Sequence, residues 1–152
     1  MVSEELLFIL KQNNRPDFNE LIRKKASYEY LYHLSFQRSN IIDWIELKKD
    51  MHVLLWNAEC GALTGVLLEK AGSVTTVCET QAEAAVLRER YRDRKTLSVY
   101  QMDLFSTADS EMFDYIFLIG HVAKYSGLLA DFYRLLKKDG SLIVADANRL
   151  GL

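Results

Sequence analysis

The 152-residue chain has little net charge, −2 at pH 7, which gives no reason to expect nucleic-acid binding. It lacks any apolar run of the roughly 18 residues that a membrane span needs. It also lacks a secretory leader pattern: in MVSEELLFILKQNN, Glu4 and Glu5 stand where such a leader carries basic residues. That segment reads as a short amphipathic helix, and the protein as cytoplasmic. Cysteine is scarce, only Cys60 and Cys78, and their separation is not that of metal ligands. A reduced compartment fits them better than a disulfide framework, and both read as small buried residues at strand ends. Pro16 is the sole proline, and there is no linker, internal repeat or low-complexity segment. Glycine is missing from two places where a strand-to-helix turn would be expected to carry it.

What is present suits a folded globule. Apolar residues make up 49% of the chain and charged residues 26%, and the length suggests one domain with a substantial core. The chain divides into a helical front, residues 1–50, and an alternating rear, residues 51–152. In the front, Pro16 suits the first turn of a helix that continues through Phe18, Leu21 and Ile22. An aromatic segment follows with Tyr28, Tyr30, Tyr32 and Phe36, then Ser39-Asn40 before IIDWIEL. Asn40 reads as a helix cap.

In the rear, His52 to Trp56 is a short apolar strand. Leu63, Val66, Leu67 and Ala71 recur at helical spacing, and Gly72 is a helix stop. Val74 to Cys78 is a second strand. Thr80-Gln81-Ala82-Glu83 matches a capping box, so a helix should begin there and run to about Arg92. Leu97 to Met102 and Tyr115 to Ile119 are the third and fourth strands. Leu128, Leu129, Phe132, Leu135 and Leu136 mark a helix with Lys137-Lys138 at its end, where cations oppose the dipole. Asp139-Gly140 is a turn, and Ser141 to Ala145 a fifth strand.

Near-continuous apolar strands separated by helices imply a parallel sheet covered on both faces. Right-handed crossovers make it doubly wound: an α/β, Rossmann-like fold of about five strands with an N-terminal helical extension. The ligand crevice of such a sheet lies at the carboxyl ends of the strands. That places Asn57 to Gly61, Glu79, Asp103 and Gly120-His121 around one hollow.

VLLWNAECGALTG, Glu79, QMDLF, FDYIFLIGHVAKY and LLKKDGSLIVAD together resemble class I S-adenosylmethionine-dependent methyltransferases over roughly residues 38–148. The first stretch aligns with that family's Gly-x-Gly-x-Gly motif. A narrower likeness links YLYHLSFQRSNIIDW and ADANRLGL to methyltransferase domains of bacterial surface-polysaccharide proteins. The resemblance implies S-adenosylmethionine as cofactor, held by Asn57, Ala58, Glu59, Gly61, Glu79, Thr80, Asp103, Leu104 and Gly120. Glu79 would hold the ribose hydroxyls, and Asp103 would stand beside the adenine amino group. The acceptor would be a small molecule or a glycan precursor.

Each of these residues also has a plainer reading. Gly61 fits the last glycine of the loop, where it lets the helix start pack closely on the strand, or an ordinary turn. Asn57 replaces the first glycine and tolerates left-handed angles at a cost of about 1 kcal/mol. Glu59 replaces the middle glycine; its carboxylate would repel the cofactor's carboxylate or contact its amino group. Leu55 stands where the family has an acid. Glu79 is a ribose ligand or a solvated residue near a helix start, and Asp103 an adenine-side acid or a loop-capping Asp. His121 is a candidate general base. His33 and His52 have no evident partner. Lys124 and Tyr125 stand in a stretch where relatives carry an acid. Tyr28, Tyr30 and Tyr32 read as packing surface, with an acceptor pocket as the alternative.

The family usually has seven strands, and this chain stops just after the fifth. The reading is therefore of a truncated domain, its edge covered by a second copy or by the remainder of a larger chain. Two functions stay open: a methyltransferase-like enzyme with a compromised cofactor loop, needing no metal, or a non-catalytic module serving assembly or recognition.

Overall fold

The computed structural model describes residues 1–13, 15–110 and 112–147. The front holds α1 (Val2–Gln12), α2 (Phe18–Lys25), α3 (Tyr28–Leu34), a 3-10 turn (Phe36–Ser39) and α4 (Asn40–Asp43). The rear runs β1 (His52–Trp56), α5 (Thr64–Lys70), β2 (Ser73–Cys78), α6 (Gln81–Arg90), β3 (Leu97–Gln101), α7 (Leu104–Thr107) and β4 (Phe113–Ile119). It ends with α8 (Val122–Tyr125), a 3-10 turn (Ser126–Leu128), α9 (Leu129–Leu135) and β5 (Leu136–Ala145).

The strands lie in the order β3-β2-β1-β4-β5 and every pairing is parallel. The chain steps outward from β1 through β2 to β3, then returns to the other side of β1 to lay β4 and β5. The order therefore reverses between β1 and β4, which opens a crevice at their carboxyl ends. Strand alternation divides the core. Val53 and Leu55 of β1 pack on one face with Leu67 and Leu87 from α5 and α6. Leu54 and Trp56 pack on the other with Leu104, Phe132 and Leu135. Both faces are covered, so both sets of alternate residues are apolar.

The helical front adds a third cluster, in which Leu6, Leu10, Tyr30 and Leu34 meet Cys60 and Val86 of the rear. Arg90 ties the two parts, donating to the His33 carbonyl at 3.2 Å and the Cys60 carbonyl at 2.8 Å. Cys60 and Cys78 are free and buried. Burial pushes the Cys60 thiol up to about 12, which keeps it protonated and inert.

Four local expectations need correction. Pro16 lies outside its helix; Asp17 is the cap, accepting from the Asn19 and Glu20 amides at 2.9 and 3.1 Å. Asn40 is the first residue of α4, and Ser39 takes the cap position without a side-chain cap bond. Lys137 and Lys138 do not end a helix, because Leu136 is already extended and pairs with Phe113. Lys137 instead meets Asp114 at 2.8 Å. Asp139-Gly140 is part of β5, in an irregularity where β4 advances from Phe113 to Tyr115 while β5 advances from Leu136 to Ser141.

Candidate functional site

The β1–α5 loop has the backbone course of a glycine-rich turn with side chains left on it. Asn57 has φ 56°, Glu59 φ 51° and Gly61 φ 85°, all left-handed. The Ala58 amide donates to the Val77 carbonyl at 2.8 Å, which fixes the loop to β2. The Tyr91 hydroxyl donates to the Gly61 carbonyl at 2.7 Å. A Cβ at Gly61 would lie 2.8 Å from Leu87 Cδ2 and 3.0 Å from Tyr91 Cε2. Gly61 is thus needed for close approach, but what a Cβ would meet is α6 and the Tyr91 ring at its end rather than the strand.

The Glu59 side chain turns toward the helical front. Its Oε1 accepts from the Tyr32 hydroxyl at 3.1 Å, and its Oε2 from Arg38 Nη1 at 3.1 Å. His121 Nε2 stands 3.8 Å and His33 Nδ1 4.0 Å from the same carboxylate. Arg38 also donates to the Tyr32 carbonyl at 3.2 Å, and its guanidinium stacks 3.8 Å from the Tyr32 ring centroid. The side chains of Arg38 and Glu59 are only 15% and 12% exposed, so the attraction is little screened. Burial pushes the Tyr32 hydroxyl up, and the Glu59 charge adds to it. Burial also pushes the His33 imidazole down, against the opposing pull of Glu59.

Glu79 ends the loop after β2, and Thr80 forms the expected capping box with Glu83, at 3.2 Å and 3.0 Å for the two bonds. The Glu79 carboxylate is engaged by Lys124 Nζ and by the Tyr125 hydroxyl. Tyr125 is held in place by Trp56, whose ring also stacks on Phe105 at 4.7 Å and meets Phe132 edge-on at 5.1 Å. Asp103 Oδ1 accepts from the Gln101 amide at 3.2 Å, the local bond of a loop-capping Asp. Leu104 is buried in the core between the sheet and α9.

A cavity of about 720 Å³ opens at the carboxyl ends of β4 and β5, lined in part by Gly120, His121, Lys124 and Asp146. Tyr32, Arg38 and Ile41 of the helical front also line it. Residues 57–61, Glu79 and Asp103 are not among its lining, but three lining residues reach the two glutamates: Arg38 and His121 contact Glu59, and Lys124 contacts Glu79. Gly120 and His121 carry left-handed backbone, φ 80° and 54°.

The tyrosine run is divided. Tyr30 is buried packing as expected, whereas Tyr32 lines the cavity and binds Glu59. His52 has a partner after all, with Nε2 3.3 Å from the Thr75 hydroxyl. Arg38 is the residue that sequence reasoning missed. Its signal was indirect: a carboxylate in a turn destined for burial demands a cation. Among the described residues, no group of three or more His, Cys, Asp or Glu side chains could hold a metal ion, and no helix is long and apolar enough to cross a membrane.

Comparison with known proteins then gives the family. A methyltransferase-domain profile matches residues 58–144. No match was found among curated proteins. Among solved structures, the chain is similar to YcgJ of Bacillus subtilis, at 18% identity and TM-score 0.63, covering 71% of this chain and 50% of that one. It is similar to phosphoethanolamine N-methyltransferase 1 of Haemonchus contortus, in complex with phosphoethanolamine and S-adenosylhomocysteine, at 18% identity and TM-score 0.64. That match covers 94% of this chain and 32% of the nematode enzyme. A third is an S-adenosylmethionine-dependent methyltransferase of Aquifex aeolicus, at 16% identity and TM-score 0.63, covering 91% and 79%. The chain thus spans half of YcgJ and about a third of the nematode enzyme. With the profile matching more than half of its length and the sheet running β3-β2-β1-β4-β5, the chain belongs to the methyltransferase-domain family and has the class I S-adenosylmethionine-dependent fold.

Proposed function

We propose that this is an S-adenosylmethionine-dependent methyltransferase-like domain whose cofactor cleft is rebuilt around internal ion pairs and holds the cofactor weakly. One observation carries the reading: the two acids of the cleft, Glu59 and Glu79, are already bound by Arg38 and Tyr32 and by Lys124 and Tyr125. The left-handed loop backbone supports the family's cofactor, and so does an acid, Asp103, between β3 and α7. The other side chains fit poorly. Leu55, where relatives carry an acid for the cofactor's amino group, is buried in the core. Loss of that charge-assisted bond costs roughly 1.5–3 kcal/mol, about tenfold to a hundredfold in affinity. Glu59 adds a side chain at the position that relatives keep bare. To bind ribose, Glu79 must exchange Lys124 and Tyr125 for two hydroxyls.

The acceptor carries a hydroxyl; the likeness to polysaccharide-protein domains supports a sugar. The two buried free thiols support a cytoplasmic setting. β5 forms one edge of the sheet, and its Val144 is half-exposed, which favours cover by a second copy or by more chain. The same ion pairs favour a second reading, a non-catalytic module that keeps the fold for assembly.

Calorimetry with S-adenosylmethionine and S-adenosylhomocysteine, with Glu79→Ala as control, tests the proposal. Heats that saturate only at ligand concentrations on the order of 0.1–1 mM, and vanish in the variant, are expected. Affinity on the order of 1 µM overturns the weakened cleft, and no heat at about 1 mM leaves the non-catalytic module.

A further inference from the structure

The cavity beside the rebuilt loop has a one-sided chemistry. Ile41, Ile119, Ala123 and Ala145 give it apolar walls. Its Tyr32, Arg38 and His121 converge on one carboxylate, Glu59, at 3.1, 3.1 and 3.8 Å. The charges at that end cancel, because Arg38 is paired with Glu59; Lys124 is likewise paired with Glu79. Asp146 is committed to the Val122 amide at 3.0 Å. A carboxylate or phosphate would find no uncompensated cation there, and a sugar would find few donors along the walls.

His121 is the polar group with capacity to spare. Its side chain is 59% exposed and it lines the cavity. It sits at φ 54° directly after Gly120 at φ 80°. A non-glycine residue held in that region costs about 1 kcal/mol, and such positions cluster where strain serves a site. The His121 Nε2 stands 3.8 Å from Glu59, beyond hydrogen-bond reach, and a neutral imidazole always offers one ring nitrogen as an acceptor.

We propose that the cavity binds a neutral molecule with an apolar body and one hydroxyl, an aryl or alkyl alcohol, whose O–H donates to His121. The inference rests, as an acceptor site, on the methyltransferase reading, and it names an apolar alcohol as the acceptor class in place of the sugar that the polysaccharide likeness suggests. Binding itself needs no methyl donor, so failure of one is distinguishable from failure of the other.

The test titrates the full chain, without cofactor, with 2-naphthol, 2-methoxynaphthalene, 2-naphthoate and methyl glucoside. 2-Naphthol is expected to bind at least about tenfold more tightly than the other three, the worth of one hydrogen bond. His121→Gly, which keeps the left-handed backbone, should lower 2-naphthol affinity about tenfold and leave 2-methoxynaphthalene unchanged. The imidazole nitrogen shifts of His121 should move when 2-naphthol binds and stay in place with 2-methoxynaphthalene. Equal binding of the methyl ether, tighter binding of the naphthoate or the sugar, or no binding of 2-naphthol overturns the proposal.

Discussion

Arg38 Nη1 lies 3.1 Å from Glu59 Oε2, across 21 residues of sequence, with both side chains largely buried. The pair locks the helical front to the loop after β1. Removing one partner of such a pair leaves a charge without compensation in a poorly solvated place. Arg38→Gln and Glu59→Gln should each lower stability by about 3 kcal/mol, measured by urea unfolding. The double variant should lose less than the sum, with a coupling of about 1–3 kcal/mol. Additive losses would show that the two side chains act independently.

Asn57 tests the backbone of the loop separately from its charges. Its φ of 56° suits Asn and glycine but not Ala. Asn57→Ala should cost about 1 kcal/mol in thermal or urea unfolding, whereas Asn57→Gly should stay within about 0.5 kcal/mol of the parent. Equal effects of both would mean that the Asn57 side chain, not its backbone angle, carries the contribution.

The scaffold was legible because its signals are local. The apolar run His52–Trp56, closed by the turn at Asn57, marks a buried strand, and Thr80 with Glu83 names its own helix start. The site was legible only in its backbone frame. Glu59 demanded a cation, but Arg23, Lys24, Lys25 and Arg38 all precede it, and only tertiary packing chooses Arg38. Lys137 misled because a cation after an apolar helix looks the same whether it faces the helix end or Asp114 across a strand. Tyr30 and Tyr32 could have been told apart. Two residues on a helix point about 200° away from each other, so one must leave the core if the other enters it.

On the proposed reading, the engagement of Glu79 by Lys124 and Tyr125 is what holds cofactor affinity down. Lys124→Met with Tyr125→Phe should free the carboxylate for ribose hydroxyls and raise S-adenosylhomocysteine affinity about tenfold in calorimetry, the worth of one charge-assisted bond. The gain should disappear when Glu79→Ala is added. Unchanged affinity in the double variant would place the limiting defect at Leu55 and Glu59 instead.

Two histidines set the acid side of the stability profile. Burial pushes the His33 imidazole down, with Glu59 opposing and Arg38 assisting. Burial likewise pushes His52 down, assisted by Lys137 and opposed by Asp114. Both rings are therefore neutral in the native state at a pH where the unfolded chain begins to take up protons, near about 6.5. The unfolded state then binds more protons, so stability rises with pH through this window and falls as pH drops from about 6.5 toward the depressed native values. Urea midpoints should be flat from about pH 8 to pH 7 and decline between about pH 6.5 and pH 5.5. His33→Gln with His52→Gln should flatten that decline while leaving the carboxylate-driven loss at lower pH. An unaltered slope in the double variant would mean that other groups, and not these buried rings, take up the protons.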